Sequence, residues 1–356
     1  MHTNKTGRVI ITSARSIMSL VAANSLGQKN IEIVGADCVE VTMLTFSKYV
    51  HKHEIYKNYL YDPEGFLEDL QQIIKKNKPT DNRPYILMPI FKETNLIVQH
   101  RELFEPDITV ATPRRESLSK VHPKHHFART AQYFKVQTPE TFLPENKEEL
   151  EEINQKIQYP VLIKPYDESG GKGIKKINDY QNLKEAFDEN VNLFGQPPLI
   201  QKLSKGEDYC FTGLFQEGKL KASMAYKNLQ RFPAESGSGV MRETIDDSPF
   251  IKEAKKLMEP IHWNGIAQID FMWSGQADEV PDMIEVNPRF FAGLFQSVDS
   301  GIDYPWLNYL LFTGKIIPEV PKANIGQKTK IPLAWALAAM QESISWMIVL
   351  QTLSNW

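Results

Sequence analysis

The chain has 356 residues, 42% of them hydrophobic and 24% charged, with 41 Lys and Arg against 44 Asp and Glu for a formal charge of -3. That length exceeds one compact core and calls for two or three domains or subdomains. The near-even charge excludes a nucleic-acid partner held by bulk electrostatics. Two cysteines, Cys38 and Cys210, stand far apart without metal-binding spacing, which reads as a reduced, cytoplasmic protein.

The N-terminus is polar and carries no signal-peptide pattern. Arg8 to Ile11 then reads as a strand, followed by the small-residue loop Thr12-Ser13-Ala14-Arg15-Ser16. Ile17 to Leu26 has helical spacing with Gly27 as its stop, and Ile31 to Ala36 is a second buried strand ending at Asp37. A β-loop-α-β start implies a parallel sheet. The loop holding Arg15 sits where open α/β sheets bind ligands, and the absence of Gly-x-Gly-x-x-Gly argues against a dinucleotide. Glu64 to Lys76 is helical, Tyr85 to Pro89 and Ile108 to Ala111 are short strands, and the first domain closes near residue 120.

Lys124 to Phe134 reads as a helix with basic residues, and Lys147 to Ile157 as a charged surface helix. A strand from Val161 ends at Lys164 and leads through the glycine-rich loop Ser169-Gly170-Gly171-Lys172-Gly173 into a second strand, Ile174 to Ile177. Loop glycines let backbone N–H groups converge on phosphate oxygens, and Lys164 and Lys172 add point charges. The strand-loop-strand order differs from a Walker-type loop, and taken alone the loop reads equally as a plain glycine-rich hairpin. After the helix Leu183 to Phe194, Leu199 to Leu203 is a strand that runs on to Gly206-Glu207-Asp208. Such a strand end can read an adenine edge, and a carboxylate a turn later can accept ribose hydroxyls; an edge strand with a solvated turn is the alternative.

Tyr209 to Phe215 and Leu220 to Tyr226 form a hairpin about Gly218. Ser236-Gly237-Ser238-Gly239 is a mobile loop candidate, flanked by Lys227, Arg231 and Arg242, which read as anion-binding groups or as surface charge. Phe250 to Ile261 is helical. In Ile269-Asp270-Phe271-Met272 and Met283-Ile284-Glu285-Val286-Asn287-Pro288-Arg289, apolar residues alternate with polar ones. Alternate strand residues share a face, so Glu285, Asn287 and Arg289 point one way while Ile284 and Val286 point into a core. Two carboxylates and an amide oxygen make a hard cluster suited to Mg²⁺, with Mn²⁺ the alternative ion, when substrate phosphates complete the shell. An adjacent arginine stabilises an anion or a transferring phosphoryl group.

Phe271, Phe290, Phe291 and Phe295 read as core, with Phe290 or Phe291 a candidate wall of an acceptor pocket. His125 and His126 are adjacent and do not share a helix face, so with His122 they do not suggest a zinc site. Ile331 to Leu353 is apolar but interrupted by Gln341, Glu342 and serines. It lacks the ~20 continuous apolar residues of a membrane span and reads as a packed amphipathic helix, with a membrane or partner contact the alternative.

In this order, Val161 to Pro165, Ser169 to Gly173, Gln201-Lys202-Leu203 with Gly206-Glu207-Asp208, Gly265 to Phe271 and Ile284 to Arg289 resemble the ATP-grasp superfamily, over about residues 115 to 315. The resemblance is to its carbamoyl-phosphate synthase-like, carboxylate–amine ligase branch. It implies an α/β and α+β protein: a parallel α/β pre-ATP-grasp domain over 1–120, an ATP-grasp small subdomain over 121–196, a C-terminal subdomain with the Mg²⁺ site over 197–320, and a C-terminal helical segment over 321–356. The implied activity forms an acyl phosphate from a carboxylate and ATP and lets an amine displace phosphate. A bicarbonate-activating carboxylase and an inactive ATP-binding module are the alternatives. By the same resemblance Lys124 and Lys164 lie near the phosphates, and Gly170, Gly171, Lys172 and Gly173 form a lid over them. Gln201 and Leu203 face adenine, Lys202 gives a main-chain contact, Asp208 takes the ribose with Glu207 the nearby substitute, and Asp270, Glu285 and Asn287 hold Mg²⁺. Arg289 then stabilises the acyl phosphate. Gln201 departs from the Glu of many relatives. The implied partners are a small carboxylate and an amine, with a homodimer the commonest assembly.

Overall fold

The computed structural model describes residues 5–168, 172–232 and 238–341. Gly170, Gly171, Ser236, Gly237 and the apolar stretch beyond Gln341 lie outside the described residues.

The first unit runs β1 (Gly7–Ile11), α1 (Ile17–Gly27), β2 (Ile31–Asp37), β3 (Val50–Ile55), α2 (Pro63–Lys76), β4 (Tyr85–Met88), α3 (Glu93–Gln99), β5 (Thr109–Val110) and α4 (Arg115–Val121). Its strands form one parallel sheet ordered β3-β2-β1-β4-β5. Both faces are covered, which is why β1 reads as an unbroken apolar run. Val9 and Ile11 pack with Ala22 and Leu26 of α1, while Ile10 packs with Phe66 and Leu70 of α2. Ser16 and Asp62 cap α1 and α2 by accepting from Met18 N and Gly65 N, the usual device for orphan N–H groups. Gly27 is the last helical residue of α1 rather than its stop; the left-handed turn comes at Asn30, φ 61°.

The second unit contains α5 (Lys124–Tyr133), β6 (Thr141–Phe142), α6 (Lys147–Asn154), β7 (Val161–Lys164), β8 (Lys175–Ile177), α7 (Tyr180–Phe194) and β9 (Leu199–Lys202). Its antiparallel sheet, β6-β9-β7-β8, packs on α6 and α7 through Leu150, Ile163, Leu183 and Phe187.

The third unit contains β10 (Glu207–Gln216), β11 (Lys219–Phe232), β12 (Ser238–Ile245), α8 (Ser248–Met258), β13 (Gly265–Trp273), β14 (Asp282–Asn287), α9 (Leu294–Asp299), α10 (Tyr304–Phe312), β15 (Lys328–Lys330) and α11 (Pro332–Gln341). Its antiparallel sheet is ordered β14-β13-β10-β11-β12-β15. One face buries Phe211, Phe215 and Phe271 against Phe250 and Leu257 of α8. On the other face Leu214, Met224 and Ile266 pack with Tyr304 and Tyr309 of α10, and that core continues into Val9 and Ile31 of the parallel sheet. Gly7 permits the approach, since a Cβ there would lie 2.1 Å from the Tyr309 hydroxyl. Asp303, which caps α10, also accepts from Ser25 Oγ at 2.5 Å and Lys29 Nζ at 2.8 Å. The parallel sheet and the six-stranded sheet are thus joined by a continuous core. Among the described residues no helix is long and apolar enough to cross a membrane.

Candidate active site

Residues paired across antiparallel strands project to the same side. The register Cys210↔Asp270↔Glu285, with Gln268↔Asn287 beside it, therefore places two carboxylates and two amides on one face of the six-stranded sheet. Tyr226, opposite Cys210 on β11, shares that face. A bulge between Asp270 and Phe271 sets Met283 rather than Ile284 opposite Phe271. Met283 and Val286 are buried, and Ile284 is half-buried and turned to a narrow cleft with Lys164 and Gln201. This corrects the simple alternation: one extra residue shifts the phase and moves Ile284 out of the core.

The Asn287 amide nitrogen donates to Asp270 Oδ2 at 3.1 Å and Glu285 Oε1 at 3.4 Å, and Gln268 Nε2 donates to Asp270 Oδ1 at 2.8 Å. Arg289 Nη2 donates to Asn287 Oδ1 at 3.3 Å and Nη1 to the Phe290 carbonyl at 2.9 Å. Its guanidinium carbon sits 5.0 Å from the ring centroid of Phe91, a residue of the parallel unit. Lys124, the first residue of α5, lies 3.2 Å from Glu285 Oε2 and also donates to the Glu168 carbonyl.

Burial, reinforced by the charge of Glu285, pushes the Asp270 carboxyl up to about 7. Burial also works to raise Glu285, but the pull of Lys124, Lys164 and the Asn287 amide overrides it and leaves that group below the ordinary range. Two neighbouring carboxylates cannot both carry charge cheaply in such a place, and a divalent cation is what would let them. Two carboxylates plus an amide oxygen suit Mg²⁺, which keeps waters and substrate oxygens for its remaining positions. Rotation of the Asn287 amide would present its oxygen. Among the described residues no three His, Cys, Asp or Glu side chains gather around one point, so the oxygen set is confined to this pair and its amide.

Lys164 ends β7 with 7% exposure and donates to Gln201 Oε1 at 2.7 Å. Burial brings its ammonium down to about 8; Glu285 and Asp270 oppose that change, and Lys124 adds to it. Gln201 Nε2 donates in turn to Thr141 Oγ1 at 2.9 Å. The Lys202 N–H is given to the Glu140 carbonyl at 2.9 Å, so it is not free for a ligand; Leu203 follows just beyond β9. Asp208 projects to the same face as Cys210, two residues on, and is paired with Arg231 and Asn228. Gly173 adopts φ 75°, and Lys172 is exposed and 3.1 Å from Glu168.

A cavity of about 450 Å³ opens over Glu285, Asn287 and Arg289, with His122, Lys124 and Asp167 on its other wall. His122 lies 3.0 Å from Asp167 and 2.7 Å from Asn95 Nδ2. These three residues come from separate segments, and nothing in the sequence linked them. Lys227 belongs to the opposite face and is 3.4 Å from Glu243, which removes it from the anion-binding candidates. Arg242 is buried over the Tyr226 ring, 5.9 Å from its centroid, on the carboxylate face. Phe271, Phe290 and Phe291 are buried, whereas Phe295 is 44% exposed and is not core.

Residues 121–293 match the model of the ATP-grasp domain. The chain is 24% identical over 273 residues to the C-terminal section of the carbamoyl phosphate synthase large chain of Methanopyrus kandleri, covering 73% of this chain and 49% of that protein. It thus spans about half the length of that relative. Among solved structures it is similar to the N5-carboxyaminoimidazole synthetase of Staphylococcus aureus complexed with ADP, with a TM-score of 0.72 at 15% identity, covering 96% of this chain and 87% of that one. It is similar also to the biotin carboxylase of Campylobacter jejuni, with a TM-score of 0.72 at 14% identity, covering 90% and 74%.

Proposed function

The chain carries an ATP-grasp domain over residues 121–293, and from that premise we propose that it is an ATP-dependent ligase, which activates a carboxylate as an acyl phosphate and joins it to an amine. The observation that carries this reading is the Asp270–Glu285 pair, flanked by Lys124, Lys164 and Arg289, with Glu285 lining the 450 Å³ cavity. The names of its relatives, carbamoyl phosphate synthase and N5-carboxyaminoimidazole synthetase, support the same class.

In this reading Asp270, Glu285 and Asn287 hold Mg²⁺, which supplies charge neutralisation at the phosphates. Lys164 and Lys124 offset the repulsion between an anionic carboxylate and the triphosphate. A carboxylate oxygen attacks the γ-phosphorus, and the bond to ADP breaks with its electron pair on ADP. The amine nitrogen then attacks the acyl carbon. The C–N bond forms, the C–O bond to phosphate breaks, and the nitrogen proton leaves to phosphate or solvent. Arg289, fixed by Asn287, the Phe290 carbonyl and the Phe91 ring, is placed to steady the anionic acyl phosphate. Gln201 and Leu203 frame the base, Lys202 lies beside them, and Asp208 takes the ribose. The loop containing Gly170, Gly171, Lys172 and Gly173 covers the phosphates.

The test is ADP release with a panel of amino acids and small carboxylic acids, with and without bicarbonate. Dependence on a carboxylate and an amine supports the ligase, and dependence on bicarbonate alone favours a carboxylase. No nucleotide turnover under any condition leaves an ATP-binding module. Glu285→Ala is expected to abolish Mg²⁺-dependent turnover with the circular dichroism spectrum unchanged; retained turnover removes Glu285 from the site.

A further inference from the structure

A second cavity, of about 330 Å³, opens at the carboxyl ends of β1 and β2. It adjoins the point where the sheet order reverses, since β1 pairs with β2 on one side and β4 on the other. Open parallel sheets take ligands at such points, and the volume falls within the range of about 300–1,000 Å³ usual for small-molecule sites. None of the roles assigned above to ATP or metal uses it. Tyr59 and Leu60 line both this cavity and the larger one, and Phe91 in its wall carries the Arg289 guanidinium. The two cavities therefore meet beside Arg289.

Charge in the smaller cavity is specific. Arg15 is exposed, and Asp37 beneath it is buried. Asp37 accepts from Arg15 Nε at 2.8 Å, from the Arg15 N–H at 2.8 Å and from the Cys38 N–H at 2.7 Å. The pair is neutral as a whole, and the outer edge of the guanidinium is what it offers a ligand. Next to the lining residues Ser13 and Phe91 stands Glu93, 0% exposed. Its Oε1 accepts from Thr12 Oγ1 at 2.5 Å and from the Ile90 and Phe91 N–H groups at 3.3 and 3.2 Å, while Oε2 is buried with no partner among the described residues. An unpaired buried acceptor is costly, and it attracts a cationic group brought near. Ser13 is held at φ 50° with its N–H on the Tyr56 hydroxyl at 2.9 Å, backbone strain of the kind that clusters at ligand clamps.

One outward cation backed by two carboxylates repels a phosphate dianion and suits a zwitterion with an apolar body. We propose that this cavity seats the amine substrate and that this substrate is an α-amino acid. Its carboxylate lies on Arg15, its amino group on the side of Glu93, and its side chain against Tyr59, Leu60 and Phe91. The assignment of this molecule as the amine rests on the ligase reading; the assignment of the cavity does not.

Calorimetric titration of the full chain without nucleotide, with each of the twenty L-amino acids separately, tests the cavity alone. At least one is expected to bind. For the tightest, the decarboxylated amine and the deaminated acid are each expected to bind at least ~10-fold more weakly, because a site built for a polar group rejects the analogue lacking it. Arg15→Lys keeps a cation for Asp37 and is expected to weaken amino-acid binding about tenfold, since an ammonium does not reproduce the guanidinium fork, while MgATP affinity stays within about twofold. No binding by any amino acid, equal binding by the decarboxylated amine, or displacement by inorganic phosphate would overturn the proposal. Amino-acid binding without ADP release would sink the ligase reading and leave the cavity assigned. ADP release with a carboxylate and an amine but no amino-acid binding would do the reverse.

Discussion

Gln201→Glu places a carboxylate where a neutral amide now faces a buried ammonium. Lys164 Nζ lies 2.7 Å from Gln201 Oε1, and its titration falls from 10.5 to about 8 because burial disfavours the charged form. Below about 8 the lysine is protonated whether the chain is folded or not. Between about 8 and 10.5 the folded state sheds its proton while the unfolded state keeps it, so folding becomes more favourable as pH rises through that window. The span corresponds to about 3 kcal/mol. A carboxylate about 3 Å from the ammonium attracts it by about 5 kcal/mol at an effective dielectric of about 20, partly offset by the desolvation of the new charge. The attraction exceeds the original burial cost, so Lys164 is expected to return to 10.5 or above and the alkaline gain to vanish. Urea unfolding of both proteins at pH 7.5 and pH 10 reads this directly. Groups other than Lys164 titrate alike in the two proteins and cancel in the comparison. An equal alkaline gain in both would refute the placement of Lys164 as a buried, charge-starved lysine.

Asp270 gives the acid counterpart. Its carboxyl is raised to about 7, so in the proposed metal site a proton would compete with a cation below that pH, and Mg²⁺ or Mn²⁺ affinity with ATP is expected to fall about tenfold per pH unit below 7. Calorimetry in buffers of different ionisation enthalpy should register proton release near pH 6.5; none would take Asp270 out of the metal site. Arg289→Lys keeps the charge but loses the planar contact with Phe91, and is expected to lower turnover about 10–100-fold with ATP affinity within about threefold; equal losses in both would exclude a role confined to the transition state. Gly293→Ala sets a Cβ 2.5 Å from Tyr226 Cζ with no backbone obstacle, φ being -83°. A loss of about 1–3 kcal/mol in thermal or urea unfolding is expected from overpacking, and an unchanged midpoint would mean that Tyr226 is free to move.

The strands that carry Asp270 and Glu285 were legible because polar and apolar residues alternate along them, and alternation is what a half-buried strand imposes. The bulge at Ile284 was not, since one inserted residue changes the phase without leaving a mark of composition. Strand β3 was missed for a related reason: at the sheet edge His51, Lys52 and His53 are exposed and Glu54 is buried, the inverse of the usual pattern. Glu54 is tolerated there because Lys52, Lys76 and Asn77 surround it. Lys227 and Arg242 look alike in sequence, yet an odd separation along paired strands sends one to each face. Contacts between distant segments, such as His122 with Asp167 or Phe91 with Arg289, depend on how whole units dock and have no local signature.

The docking itself bears on how the site operates. Asp270, Glu285 and Arg289 stand on a sheet whose core runs on into the parallel sheet through α10, so those groups, Phe91 and the Arg15 loop belong to one continuous body. Lys164 and Gln201 do not. Their sheet has a separate core drawn from residues 142–200 alone, tied to the rest by isolated links such as Lys124 to the Glu168 carbonyl, His122 to Asp167 and Ser204 to Asp282 at 2.8 Å. Units with separate cores and few cross-contacts move relative to one another by default. A triphosphate between Lys164 on one body and the carboxylate pair on the other would draw the two together. Lys164 has a neutral amide as its one hydrogen-bond partner among the described residues, and closure onto phosphate oxygens would relieve the same burial cost that the Gln201→Glu exchange is designed to measure.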